Sequence, residues 1–186
     1  MIALFVFLGI VALIVLFLIN VFNRFAKLRN LVMDAWSNID VALRRRYDLI
    51  PNLVETVKGY AEHEKSTLDS VILARNAAMA VPSGDINAQI KAENQLQQSL
   101  RSIFALSEAY PDLKANASFL DLQQKLNEIE ENLERARRYY NGSVRENNTY
   151  GESVPGVLVA SMFKYQRFDY FETDEASRAN VKVDFS

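Results

Sequence analysis

The residues best suited to chemistry are few. The single histidine, His63, stands between Glu62 and Glu64, and three consecutive arginines, Arg44, Arg45 and Arg46, stand shortly before Pro51. An imidazole flanked by two carboxylates suggests a metal site. On a helix, however, neighbouring side chains point roughly 100° apart, and zinc needs three or four ligands on one spot. The chain has no cysteine, no second histidine, no Gly-x-Ser-x-Gly turn and no glycine-rich phosphate loop. Residues 62–64 therefore read as a solvated helix surface, and the sequence implies no catalytic residue, metal site or cofactor. A net charge of -2 and the lack of any basic run longer than three argue against nucleic acid as a partner.

The arginine triplet has two readings. It can capture an anionic group, such as a lipid headgroup or a partner's carboxylate. Alternatively it neutralises the last carbonyls of a helix that stops at Tyr47. Proline favours the second. Inside a helix Pro51 would remove a hydrogen bond and crowd the carbonyl of Tyr47, at about 3 kcal/mol. In the first turn of a new helix, capped by Asp48, that cost disappears. The sequence thus predicts a corner, and its rival is one kinked helix reaching from the membrane to Ala80, with a shorter bundle at its far end.

Hydrophobic spacing supplies the elements. "MIALFVFLGIVALIVLFLINVF" carries no charge, and 22 residues span roughly 33 Å, enough to cross a hydrocarbon core. Without a basic leader it reads as an uncleaved anchor. Arg24, Lys27 and Arg29 follow it, which places the amino terminus outside and the body in the cytoplasm. Beyond it, Phe25, Leu28, Val32, Ala35, Ile39 and Ala42 recur at helical spacing as a coiled-coil-like seam. Further stripes predict helices over 49–80, 85–110 and 118–148, with Val81-Pro82-Ser83-Gly84 and Pro111 as breaks and Ser118 as the last N-cap. These four stripes show no buried polar cluster.

The expected fold is all-α, a transmembrane helix (1–22) followed by an antiparallel up-and-down four-helix bundle (23–150) and a short C-terminal tail (151–186). In the tail, Phe163, Tyr165, Phe168, Tyr170 and Phe171 form an aromatic segment suited to a membrane interface or a partner. The closing Val181, Val183 and Phe185 alternate like one unpaired strand.

Several blocks together resemble the LemA family of small bacterial membrane-anchored proteins. They are "LRNLVMDAWSNIDVALRRRYDLIPNLVETVKGYAEHE", "ARNAAMA", "AYPDLKANASFLDLQQKLNEIEENLERARRYYN" and "KVDF". The similarity runs from about Leu28 to the C-terminus and is weakest over 81–108. It implies a membrane helix carrying a helical-bundle domain, and it supplies no catalytic residues. One stretch, "ESVPGVLVAS", departs from the family's pattern at Val-Pro-Gly. The expectation is a bacterial single-pass membrane scaffold, touching lipid, forming homo-oligomers, and doing no chemistry of its own. The alternative is a sensory or ligand-binding bundle that signals through its membrane helix.

Overall fold

The computed structural model describes residues 1–82, 84–162 and 164–171. The fold is all-helical, with no strand among the described residues. Its helices are α1 (Ile2–Lys58), α2 (Lys65–Met79), α3 (Ile86–Ser107), α4 (Pro111–Lys114), α5 (Ala117–Glu152) and α6 (Gly156–Val159). The strand expected at 181–185 lies outside the described residues.

The predicted corner before Pro51 does not exist. Helix α1 runs on through Pro51 to Lys58, and its buried stripe continues across the proline as Leu43, Tyr47, Ile50, Leu53 and Val57. The reason is local chemistry. A helical proline deprives the carbonyl four residues earlier of its donor, and here that carbonyl belongs to Tyr47. The Nε of Arg75, on α2, donates to the Tyr47 carbonyl at 2.8 Å. A charge-assisted bond, worth about 1.5–3 kcal/mol, thus stands in for the missing backbone one. The chain turns at residues 59–64 instead, where the N–H groups of Tyr60 and Ala61 both donate to the carbonyl of Val57, at 3.0 and 2.9 Å. Glu62, His63 and Glu64 therefore sit in a turn and not on a helix.

The other boundaries follow capping chemistry. Asp85 accepts from the Ala88 N–H at 3.0 Å and opens α3. Asn116, not the expected Ser118, caps α5 by accepting from the Phe119 N–H at 3.0 Å.

The chain divides into two compact units. The first comprises residues 1–39 and 135–170, and the second residues 40–134 together with Phe171.

In the second unit α2 runs antiparallel to α1, since it starts just after α1 ends and its Arg75 reaches back to Tyr47. Helix α3 reverses again. Gln89 near its start bonds Tyr47, and Tyr110 just past its end donates to Glu64 at 3.3 Å. The α5 cap, Asn116, donates to the Tyr60 hydroxyl at 2.8 Å, which sets the start of α5 at the same end. Leu68, Val71, Leu96, Ile103, Leu113, Phe119 and Leu126 fill the interior.

In the first unit Val21, Phe25 and Val159 form a small core, with Leu18, Tyr150, Ala160 and Tyr165 packed against it. Trp36 meets Tyr140 edge to face at 5.5 Å. The seam residues Phe25, Leu28, Val32, Ala35, Ile39 and Ala42 are buried within this one chain. The stripe thus faces the interior of the chain. The apolar start of α1 behaves oppositely. Ile2, Leu4, Phe5, Phe7, Leu8 and Leu13 are all more than half exposed, and the segment is long and apolar enough to cross a membrane.

Candidate functional site

A buried polar layer crosses the second unit, drawing side chains from α1, α2, α3 and α5. It corrects the expectation that no such cluster lies between the helices. Arg46 and Glu93 are 3% and 1% exposed. The Arg46 guanidinium spans two carboxylates, Glu93 Oε2 on α3 and Glu130 Oε2 on α5, each at 3.5 Å. The Tyr47 hydroxyl donates to Glu93 Oε1. Gln89 Nε2 lies 2.9 Å from the Tyr47 hydroxyl, 3.0 Å from Glu93 Oε1 and 3.3 Å from the Ala78 carbonyl. Gln97 donates to Glu130 Oε1 at 3.5 Å, and Arg75 holds the other side of Tyr47 through its carbonyl.

The electrostatics fix the protonation of Tyr47. Burial first, then the Glu93 charge and the hydrogen bond to it, push the Tyr47 phenol far above the ordinary tyrosine range. Tyr47 therefore stays a neutral donor and is no general base near neutral pH. The guanidinium is permanently charged, and a buried cation between two carboxylates satisfies the requirement that interior charges be paired.

Of the three arginines, only Arg46 takes part. Arg44 is exposed and pairs with Asp40 at 3.0 Å, and Arg45 faces solvent. The pairing of Arg46 was missed because the triplet was read as a helix terminus. A signal existed. Arg46 falls on the core register between Leu43 and Ile50, and Glu93 falls between Ile90 and Leu96. Opposite charges at two core positions are the trace of a buried pair.

A second polar cluster fastens the tail in the first unit. Asn148 donates from Nδ2 to the Phe168 carbonyl at 2.9 Å, while its Oδ1 accepts from the Phe168 N–H at 3.1 Å and the Tyr165 hydroxyl at 3.2 Å. Asn147 donates to the Gln166 carbonyl at 3.4 Å, and Tyr140 to that of Asp169 at 2.9 Å. A Cβ on Gly151 would come within 2.3–2.7 Å of the Tyr165 ring, so only glycine lets that ring lie over α5. Tyr165 and Phe168 are half-buried, Tyr170 is exposed and Phe171 is buried. Phe163, Val181, Val183 and Phe185 lie outside the described residues.

Comparison with known proteins adds a family relationship. Residues 35–185 match the LemA family. The chain is also similar to Protein LemA of Metamycoplasma hominis, at 22% identity over 159 residues covering 86% of this chain and 72% of that protein.

Proposed function

The chain belongs to the LemA family, and on that premise we propose that it is a single-pass scaffold of the bacterial cell membrane. In this reading residues 1–22 cross the bilayer, the amino terminus lies outside, and the remainder folds on the cytoplasmic side as an up-and-down four-helix bundle. The protein acts by binding and self-assembly, without chemistry of its own.

One observation carries the proposal. The charged groups that converge in the second unit, Arg46, Glu93 and Glu130, bond one another and the Tyr47 hydroxyl. The outward apolar surface of α1 supports the anchor, and Arg24, Lys27 and Arg29 support the orientation. The 25–42 seam is buried and gives assembly no surface. Assembly rests on the span itself and on the alternating sequence pattern of Val181, Val183 and Phe185. Light scattering on the full chain in detergent tests it. A mass of several chains that falls when residues 172–186 are deleted supports assembly, and a monomer at micromolar concentration overturns it.

The sensory alternative gains one observation. Unbroken α1 carries both the apolar segment and the Arg46–Tyr47 corner of the buried layer. A ligand-dependent shift in hydrogen exchange around Glu93 would favour it over the scaffold.

A further inference from the structure

Helix α6 is apolar on both sides, and only one side is covered. Val159 turns inward onto Val21 and Phe25, with Leu18 and Ala160 alongside. Gly156 permits this approach, because a Cβ there would lie 2.1 Å from the Tyr150 carbonyl oxygen and 3.3 Å from the Phe25 ring. In α6 Val157 and Leu158, and beside it Val154 and Met162, are 47%, 66%, 73% and 66% exposed. Four exposed aliphatic side chains within nine residues form apolar surface that water disfavours.

The position of the patch identifies what covers it. Leu18, Val21 and Phe25 are the final turns of the apolar part of α1, where Asn20, Asn23 and Arg24 introduce the first polar groups. A helix that enters a bilayer near its first residues reaches the boundary of hydrocarbon and headgroups after roughly 20 residues. Helix α6 is packed at that level, so its outer face extends the lipid-facing surface of α1 sideways. The charges agree. Lys27, Arg29 and Lys164 are exposed in the same unit, suited to anionic headgroups, while Arg24 and Arg167 are matched by Glu146 and Glu152.

We propose that residues 153–162 form a membrane foot, which sinks Val154, Val157, Leu158 and Met162 into the headgroup–acyl boundary of the bilayer that α1 crosses. The inference rests on the anchor reading above. It assigns the second membrane contact to the aliphatic turn and not to the aromatic segment, whose Tyr165 ring packs inward against Phe25, with ring centroids 5.6 Å apart.

The chain has no cysteine, so a single introduced thiol can be labelled without ambiguity. The full chain is reconstituted in phosphatidylcholine–phosphatidylglycerol vesicles with a nitrobenzoxadiazole probe at Leu158→Cys or Met162→Cys. Leu13→Cys in the span and Leu73→Cys in the second unit serve as references. The foot requires blue-shifted emission at 158 and 162, quenched by lipids bearing a nitroxide high on the acyl chain, with no quenching at 73. If 13 is quenched by deeper nitroxides but 158 and 162 are untouched, the foot is wrong and the anchor stands. If 13 is also untouched, both fall. A blue shift at 158 that resists lipid quenching and disappears at one chain per vesicle assigns the patch to a second copy and overturns the proposal.

Discussion

The two units solve one problem in different ways. Both bury polar side chains among packed helices, and both must satisfy them there. The second unit uses charge: Arg46 between Glu93 and Glu130, with Tyr47 and Gln89 closing the remaining valences. The first buries Arg137 as well, but the groups that hold its strap are neutral, Asn148, Asn147 and Tyr140, turned towards the backbone of 166–169. A carboxamide carries both donor and acceptor, so one side chain can pair with both the N–H and the carbonyl of an extended residue. It is the natural partner for a segment with no helix of its own. A buried ion pair is less forgiving, because misplacement leaves an uncompensated charge. Charge therefore suits helices that must meet in one register, and amides suit a strap that must be tied down.

The largest expected effect tests the charged half. Arg46→Ala strands Glu93 in the interior and should cost about 3–5 kcal/mol, read as a lowered urea midpoint by circular dichroism. The double replacement Arg46→Met with Glu93→Leu should recover most of that loss, since apolar substitutes for a whole buried pair are often neutral or stabilising. If the double variant is no better than the single, the layer contributes more than paired charge and the contrast with the neutral cluster fails.

Much of this was legible in advance, and the misses share a cause. Spacing alone finds the apolar helix at the amino terminus, the break between α2 and α3 and the long helix α5, because each is written within a few consecutive turns. Pro51 misled because its cost is local while its remedy is distant: Arg75 lies 28 residues away from Tyr47, and nothing in the periodicity links them. Arg46 and Glu93 escape a stripe built from apolar residues alone. Asn147 and Asn148 look like a fraying helix end until the 165–170 segment folds over them. Interactions between helices are thus invisible to a pattern read along one helix, except where a charge occupies a core position.

Arg75→Ala sharpens the comparison next. It removes a charged donor from a carbonyl that has no backbone alternative, and the expected loss is about 1–3 kcal/mol. Pairing it with Pro51→Ala is the decisive measurement. The restored N–H at position 51 should rescue Tyr47 and return most of the lost stability. Independent, additive effects would show that Arg75 does not serve that carbonyl.

In the neutral half, Gly151→Ala drives a methyl into the Tyr165 ring, and overpacking of this kind costs about 1–3 kcal/mol. Here the effect should be confined to the strap. Trypsin should cut at Lys164 and Arg167 several times faster while the urea midpoint of the second unit holds. A drop in that midpoint with unchanged proteolysis would mean the ring is not held over α5.

The smallest effect separates the two halves by pH. Burial, reinforced by the charge of Asp169, pushes the Tyr140 phenol up to about 12, whereas an unfolded tyrosine ionises near 10. The folded state therefore keeps its proton where the unfolded state has lost it. The stabilisation is complete below about pH 10 and declines as pH rises towards 12. Tyr140→Phe removes one neutral hydrogen bond, worth about 0.5–1.5 kcal/mol, and should flatten that decline for the strap as followed by proteolysis with an alkali-tolerant enzyme. Tyr47 shifts in the same direction, but its hydrogen bond runs to a carboxylate. Tyr47→Phe leaves Glu93 short of a donor, so it should lower stability already at pH 7. A Tyr140→Phe variant that loses as much at pH 7 as Tyr47→Phe would erase the distinction between tying a strap with neutral groups and locking helices with charge.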